Sequence, residues 1–133
     1  MNIYRDLKSV IQLSPNGSSF NITSLWNESR ADKNKSYLII KDNGGPIGKT
    51  GSSDVECVFV SPVNPTGNSV ESMYQDASDL SKWLYNNQAS VLAGTCLFSV
   101  SVTTGANTPR KMADNRFAST FNLRLLYSSG YVN

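Results

Sequence analysis

The sequence predicts an α+β fold: two helices packed on one face of a mainly antiparallel sheet, in the chain order α-β-β-α-β-β. Three observations lead there. Apolar residues recur at helical spacing in 2–13 and 70–87. They alternate with polar residues in 96–103 and 117–127, the mark of a sheet with one face on a core. Two runs rich in β-branched and aromatic residues, 36–41 and 55–61, lie between them. The chain has 133 residues, of which 39% are hydrophobic and 17% charged, so it is expected to form a single domain over 1–133 with a core of its own.

Each element has a local reason. In 2–13, Ile3, Leu7, Val10 and Ile11 form one stripe, Asn2 is a candidate cap, and Ser14-Pro15-Asn16-Gly17 ends the helix. Residues 18–35 are weakly patterned. They read as an irregular segment that drops Phe20, Ile22, Leu25 and Trp26 onto the core, with 30–36 as an exposed polar loop. The strand 36–41 runs into a turn at Asp42-Asn43-Gly44-Gly45-Pro46, extended as a loop from Gly48 to Asp54. Val55 to Ser61 is the antiparallel partner, closed by Pro62 and Pro65. In 70–87 the stripe is Val70, Met73, Tyr74, Ala77, Leu80 and Leu84, flanked by Trp83, with Ser69 as N-cap and Glu71 in the first turn. Thr104 to Asn115 reads as a long loop between the last two strands, and Ser128 to Asn133 as a tail.

Composition narrows the function classes. Net charge is 12 − 10 = +2, which does not announce a strongly basic nucleic-acid face. The sequence contains no histidine, which excludes Ser-His-Asp and Cys-His catalysis within one chain and histidine-ligated zinc. Cys57 and Cys96 lie on apolar strand faces and read as buried free thiols. No run of apolar residues approaches the roughly 20 needed to span a membrane, and Met1 to Asp6 does not read as a signal peptide. These observations favour a cytosolic structural or binding protein, with no metal and no cofactor.

Several local patterns carry weaker signals. Gly44-Gly45-Pro46-Ile47-Gly48-Lys49-Thr50 approaches a phosphate-binding loop, but Asn43 stands where that motif needs glycine. Pro46 removes a backbone N–H, and Gly51-Ser52-Ser53 follows where a helix must begin. It reads as a hairpin loop. The N-x-S/T sequons at Asn16, Asn21, Asn27 and Asn34 read as a by-product of abundant Asn and Ser. Asp76 and Asp79 share the polar face of the second helix with Lys82, which suits a solvated face or a subunit contact better than acid–base work. Asp42, Asp54 and Asp114 are in loops and meet only if the fold gathers them. Arg110, Lys111, Arg116 and Arg124 stand against Asp114 alone in 104–124. That cluster suits an acidic partner surface, DNA phosphates, or simply a solvated hairpin tip.

The helix Tyr74-Gln75-Asp76-Ala77-Ser78-Asp79-Leu80-Ser81-Lys82-Trp83-Leu84 follows a strand ending in Ser61-Pro62. It precedes a strand and then Arg116-Phe117-Ala118-Ser119-Thr120-Phe121-Asn122-Leu123-Arg124. Together these resemble the tail terminator proteins of long-tailed, siphovirus-type bacteriophages. The resemblance covers roughly 36–127 and a leading helix; 14–35 and 105–115 have no counterpart. It implies a homohexameric ring in the virion at the head–tail junction, assembled in the host cytoplasm. That ring ends tail-tube polymerisation and offers the head-joining surface. It implies contacts with the tail tube protein, with a head completion or connector protein and with passing DNA. It implies no catalysis, no cofactor and no membrane.

On this resemblance Arg110, Lys111 and Arg116 are expected to face a neighbouring subunit, the tube or the DNA, and Asp76, Asp79 and Lys82 an adjacent subunit or the tail. Two other classes fit the same residues. Another neck protein, a connector or stopper, differs only by its place in the particle. A monomeric nucleic-acid-binding module using the basic hairpin predicts steeply salt-dependent DNA affinity.

Overall fold

The computed structural model describes residues 3–15, 20–24, 31–42, 50–87 and 97–128. Among these the chain order is α1 (Ile3–Gln12), β1 (Asn21–Thr23), β2 (Tyr37–Asp42), β3 (Thr50–Val60), α2 (Gly67–Asn86), β4 (Leu97–Thr104), β5 (Arg110–Lys111) and β6 (Phe117–Ser128). The architecture is α+β, with a mainly antiparallel sheet of order β1-β2-β3-β6-β4 and β5 also paired to β6. Only β1–β2 is parallel. Two short strands, β1 and β5, therefore interrupt the expected order α-β-β-α-β-β.

Both extra strands arise in segments with weak local signals. Asn21-Ile22-Thr23 is too short to show alternation and is a strand because Tyr37-Leu38-Ile39 offers an open edge beside it. Phe20 and Ile22 nevertheless drop onto the core as expected. Arg110-Lys111 pairs with Phe117-Ala118 across the turn Ala113-Asp114-Asn115, where Asn115 takes φ 65°, a left-handed conformation that asparagine tolerates. Residues 50–54, expected as loop, extend β3 instead and pair with 124–128. Their Gly-Ser-Ser-Asp composition argues against a strand, and the long partner β6 overrides it.

The register decides which side chains share a face, since a slip of one residue would invert it. Cys57 lies opposite Ile40 on one side and Phe121 on the other; Val55 lies opposite Leu123. These residues, with Leu38, Phe59, Val100 and Leu125, form one buried cluster. Leu7, Val10 and Ile11 of α1 and Met73, Ala77, Leu80 and Leu84 of α2 belong to the same cluster. Burying each of the Val, Leu, Ile, Phe and Met side chains among them contributes about 1.5–3 kcal/mol. Phe59 links the layers, edge-on to Phe20 at 4.9 Å and tilted against Phe121 at 6.1 Å. The opposite parity, Ile39, Val58 and Val60 with Tyr37, Met112 and Ala118, makes a smaller second cluster.

The helix ends show how the chain is stopped. Ser14 donates both its N–H (3.0 Å) and its Oγ (2.6 Å) to Ile11 O, closing α1 just before Pro15. The candidate cap Asn2 lies outside the described residues. The N-cap of α2 is Thr66 rather than Ser69: Thr66 Oγ1 accepts the Ser69 N–H at 3.2 Å. Starting the helix at Gly67 puts Glu71 beyond the first turn. Tyr74, expected in the buried stripe, is 38% exposed, and Ser81 is buried in the stripe instead. Its Oγ donates to Ser78 O at 2.8 Å, which satisfies the hydroxyl.

Candidate functional site

The six residues expected at an interface separate into four environments. Arg116 is the clearest departure. It is 1% exposed, so it is not a surface group of this chain. Its Nη1 donates to Lys35 O at 3.0 Å and Ser61 O at 2.8 Å, and its Nη2 donates to Asp32 O at 2.8 Å. Its Nε lies 3.5 Å from Asp114 Oδ2, which makes no hydrogen bond of its own, so that contact is ionic. The guanidinium also sits over the Tyr37 ring at 5.7 Å.

Neighbouring bonds reinforce this knot. Val63 N–H donates to Lys33 O at 2.8 Å, and Asn64 N–H to Asn115 O at 2.9 Å. Ser61 Oγ accepts the Phe117 N–H at 2.9 Å. Three segments, 32–35, 61–64 and 114–117, thus converge on one buried cation. A planar fork of five donors is suited to gathering carbonyls from separate segments, as an ammonium is not.

Arg110 and Lys111 are exposed, and the pairing explains where they point the chain. Ala118 already pairs with Val60 of β3, so β5 occupies the other side of β6, the side that β4 takes further along. Between them Asn107 keeps the chain on that edge. Its N–H donates to Thr120 O at 3.1 Å, its Oδ1 accepts from Thr120 N at 2.9 Å, and its carbonyl accepts Ser119 Oγ at 2.6 Å. The segment 97–111 is one broken edge strand, irregular between Leu97 and Ser99 and between Val102 and Thr104, and ending in Pro109-Arg110-Lys111. Bulges, proline and cations are devices that keep a sheet edge from unwanted pairing. The rest of that edge, 97–108, carries no charged residue.

Asp76 and Asp79 flank a cleft on α2. A cavity of about 200 Å³ is lined by Ser14, Pro15, Phe20, Leu80 and Trp83 together with the two carboxylates. A second cavity of about 330 Å³ shares Asp76 in its lining, with Ser36, Asn68, Ser69 and Ser72 among its polar walls. Phe20 lines both. Gln75 Nε2 donates to Asp79 Oδ1 at 2.7 Å, which orients that carboxylate. Partial burial, then the Asp79 charge, pushes the Asp76 carboxyl above its ordinary value. Lys82 is exposed and lines neither cavity. Trp83 and Phe20 were not among the expected site residues. Trp83 had a legible signal, standing at helical spacing from Asp76 and Asp79; Phe20 had none.

Other motifs resolve differently. Asp54 and Asp114 do not converge: Asp54 pairs with Arg124 at 3.0 Å on an exposed face, and Asp114 stays with Arg116. Burial, then the Glu56 charge, pushes the Cys57 thiol well up, as suits an inert packing thiol. The glycine-rich run 43–49, Cys96 and the sequons at Asn16 and Asn27 lie outside the described residues. Among the described residues no group of three metal-ligating side chains gathers, and no helix is long and apolar enough to cross a membrane.

No protein-family model and no curated protein sequence matches this chain.

Proposed function

We propose that the chain is a structural protein of a long-tailed bacteriophage, a tail terminator. It acts as a homohexameric ring at the head-proximal end of the tail tube, ending tube polymerisation and presenting the surface to which the head joins. In this reading both helices cover one sheet face, and the subunit meets its neighbours through its edges. The observation that carries the proposal is that the two edges of the sheet are unlike. One is the three-residue strand β1; the other is the broken strand 97–111 ending in Arg110 and Lys111. A ring needs head-to-tail interfaces, in which two different surfaces of one subunit meet across each boundary.

The nucleic-acid reading loses support from the same geometry. Of the four cations in 104–124, Arg116 is buried on carbonyls, and the exposed Arg124 stands beside the Asp54 carboxylate, which offsets its charge. The test is immunogold labelling on intact virions with mass by light scattering alongside. Label at the head–tail junction with a hexamer mass supports the proposal, and label there with a monomer supports assembly on the tube. A different site in the neck turns the proposal to a connector or stopper. No label, with a monomer whose DNA affinity falls steeply with salt, overturns it in favour of a nucleic-acid module.

A further inference from the structure

We infer that the Arg110-Lys111 edge of one copy docks into the Asp76-Asp79 cleft of the next copy, forming the repeated contact between subunits. The inference rests on the ring proposal and names the surfaces that would build it.

Three observations on the molecule support it. The cleft is mainly apolar, walled by Phe20, Leu80 and Trp83, and its polar side chains include two carboxylates. An aliphatic stem ending in a cation fits that chemistry: the stem covers apolar surface while the head meets the carboxylates. The Trp83 indole in the same lining adds attraction for a cation that reaches its face. Among the described residues, the cations on the far edge are Arg110 and Lys111, both exposed and held by strand pairing to β6. Finally, the two surfaces are built by different elements, the cleft by α2 with Phe20 and the cationic edge by β5. Phe20 directly precedes β1, the first strand of the sheet order, whereas β5 lies on the β4 side of β6 at its end. A contact between two different surfaces can be repeated by successive copies in one direction. Such a contact is heterologous, and it makes a ring when its rotation closes.

The test is a charge swap between the two surfaces. Full-length chains carrying Arg110→Glu with Lys111→Glu, or Asp79→Lys with Asp76→Asn, are each mixed with tail tubes or concentrated alone. Assembly is read by light scattering and particle imaging, with circular dichroism confirming the fold. Asp79 is exposed and Asp76→Asn keeps size and shape, so the acidic-side variant is chosen to fold. Each one-sided variant is expected to weaken assembly by about tenfold or more. The chain carrying both sets of changes is expected to recover it. One-sided variants that assemble like the wild type overturn the pairing and leave the ring proposal standing. One-sided loss without recovery in the combined chain also overturns the pairing, because the surfaces then act through other partners. A wild-type chain that forms no ring, alone or on tubes, overturns both.

Discussion

Arg116 and Arg124 stand at the start and in the middle of the same final strand region, and each has an aspartate. The Arg124–Asp54 pair is the shorter, 3.0 Å against 3.5 Å for Arg116–Asp114. Distance alone would rank Arg124 first. Burial reverses the ranking. Arg124 and Asp54 are 57% and 59% exposed in their side chains, so water screens the attraction and replaces either partner at little cost. Arg116 is removed from water and holds three backbone carbonyls from two segments. Losing it would strand those carbonyls and Asp114 together. The difference teaches that the strength of a charged contact here follows what else would be left unpaired.

The most damaging way to probe that comparison is Arg116→Ala. It is expected to destabilise the chain by about 3–5 kcal/mol, read as a lowered urea midpoint. Arg116→Lys keeps the charge but not the planar fork, and is expected to remain clearly less stable than the wild type. Asp114→Ala comes next, at about 1–3 kcal/mol by the same measurement, because the three carbonyls still hold the guanidinium.

Asp76 is the intermediate case, partly buried and facing a like charge. Its carboxyl is raised above the ordinary value, so the folded chain holds that proton more tightly than the unfolded chain does. Its contribution is fully present below the ordinary aspartate range and is lost as pH rises through the raised value. Asp76→Asn is therefore expected to stabilise slightly at neutral pH, by no more than about 0.5 kcal/mol after solvent screening. It should also remove that part of the fall in stability with pH, which thermal melts across the acidic range will show. The smallest effect belongs to Arg124→Ala, for which no measurable change in urea midpoint is expected at physiological salt. A loss at Arg124 comparable to that at Arg116 would break the comparison.

The long elements were legible because their patterns are redundant. In α1, Leu7, Val10 and Ile11 mark one face, and all three are buried in the cluster they predict. In β6, Phe121, Leu123 and Leu125 alternate with Asn122 and Arg124, and burial follows the alternation. The short or composition-poor elements were not legible. Residues 50–54 and 110–111 are strands only because β6 runs beside them. The N-cap was misplaced because Thr66 and Ser69 both carry a capping side chain; Thr66 accepts from the Ser69 N–H and takes the position.

Half of the candidate site shares this history. Asp76, Asp79 and Trp83 lie on one helix at readable spacing, so their proximity follows from helical geometry. Phe20 reaches them through the fold. Arg116 is the sharpest case: its neighbours Arg110 and Lys111 suggested one basic cluster, and nothing local distinguished a buried cation from exposed ones.

Periodicity, turn residues and the absence of histidine are properties of the chain itself. They were enough to determine the α+β class, most of the core faces of the long elements and the exclusion of histidine chemistry. The tertiary structure alone decided the strand order, the two short edge strands and the burial of Arg116. The physical reason is the range of the interactions. Helical and strand patterning repeat every few residues and are written locally. An edge strand needs a distant partner to pair with, and a buried guanidinium needs carbonyls delivered by remote segments, Asp32, Lys35 and Ser61, whose positions exist only once the chain has folded.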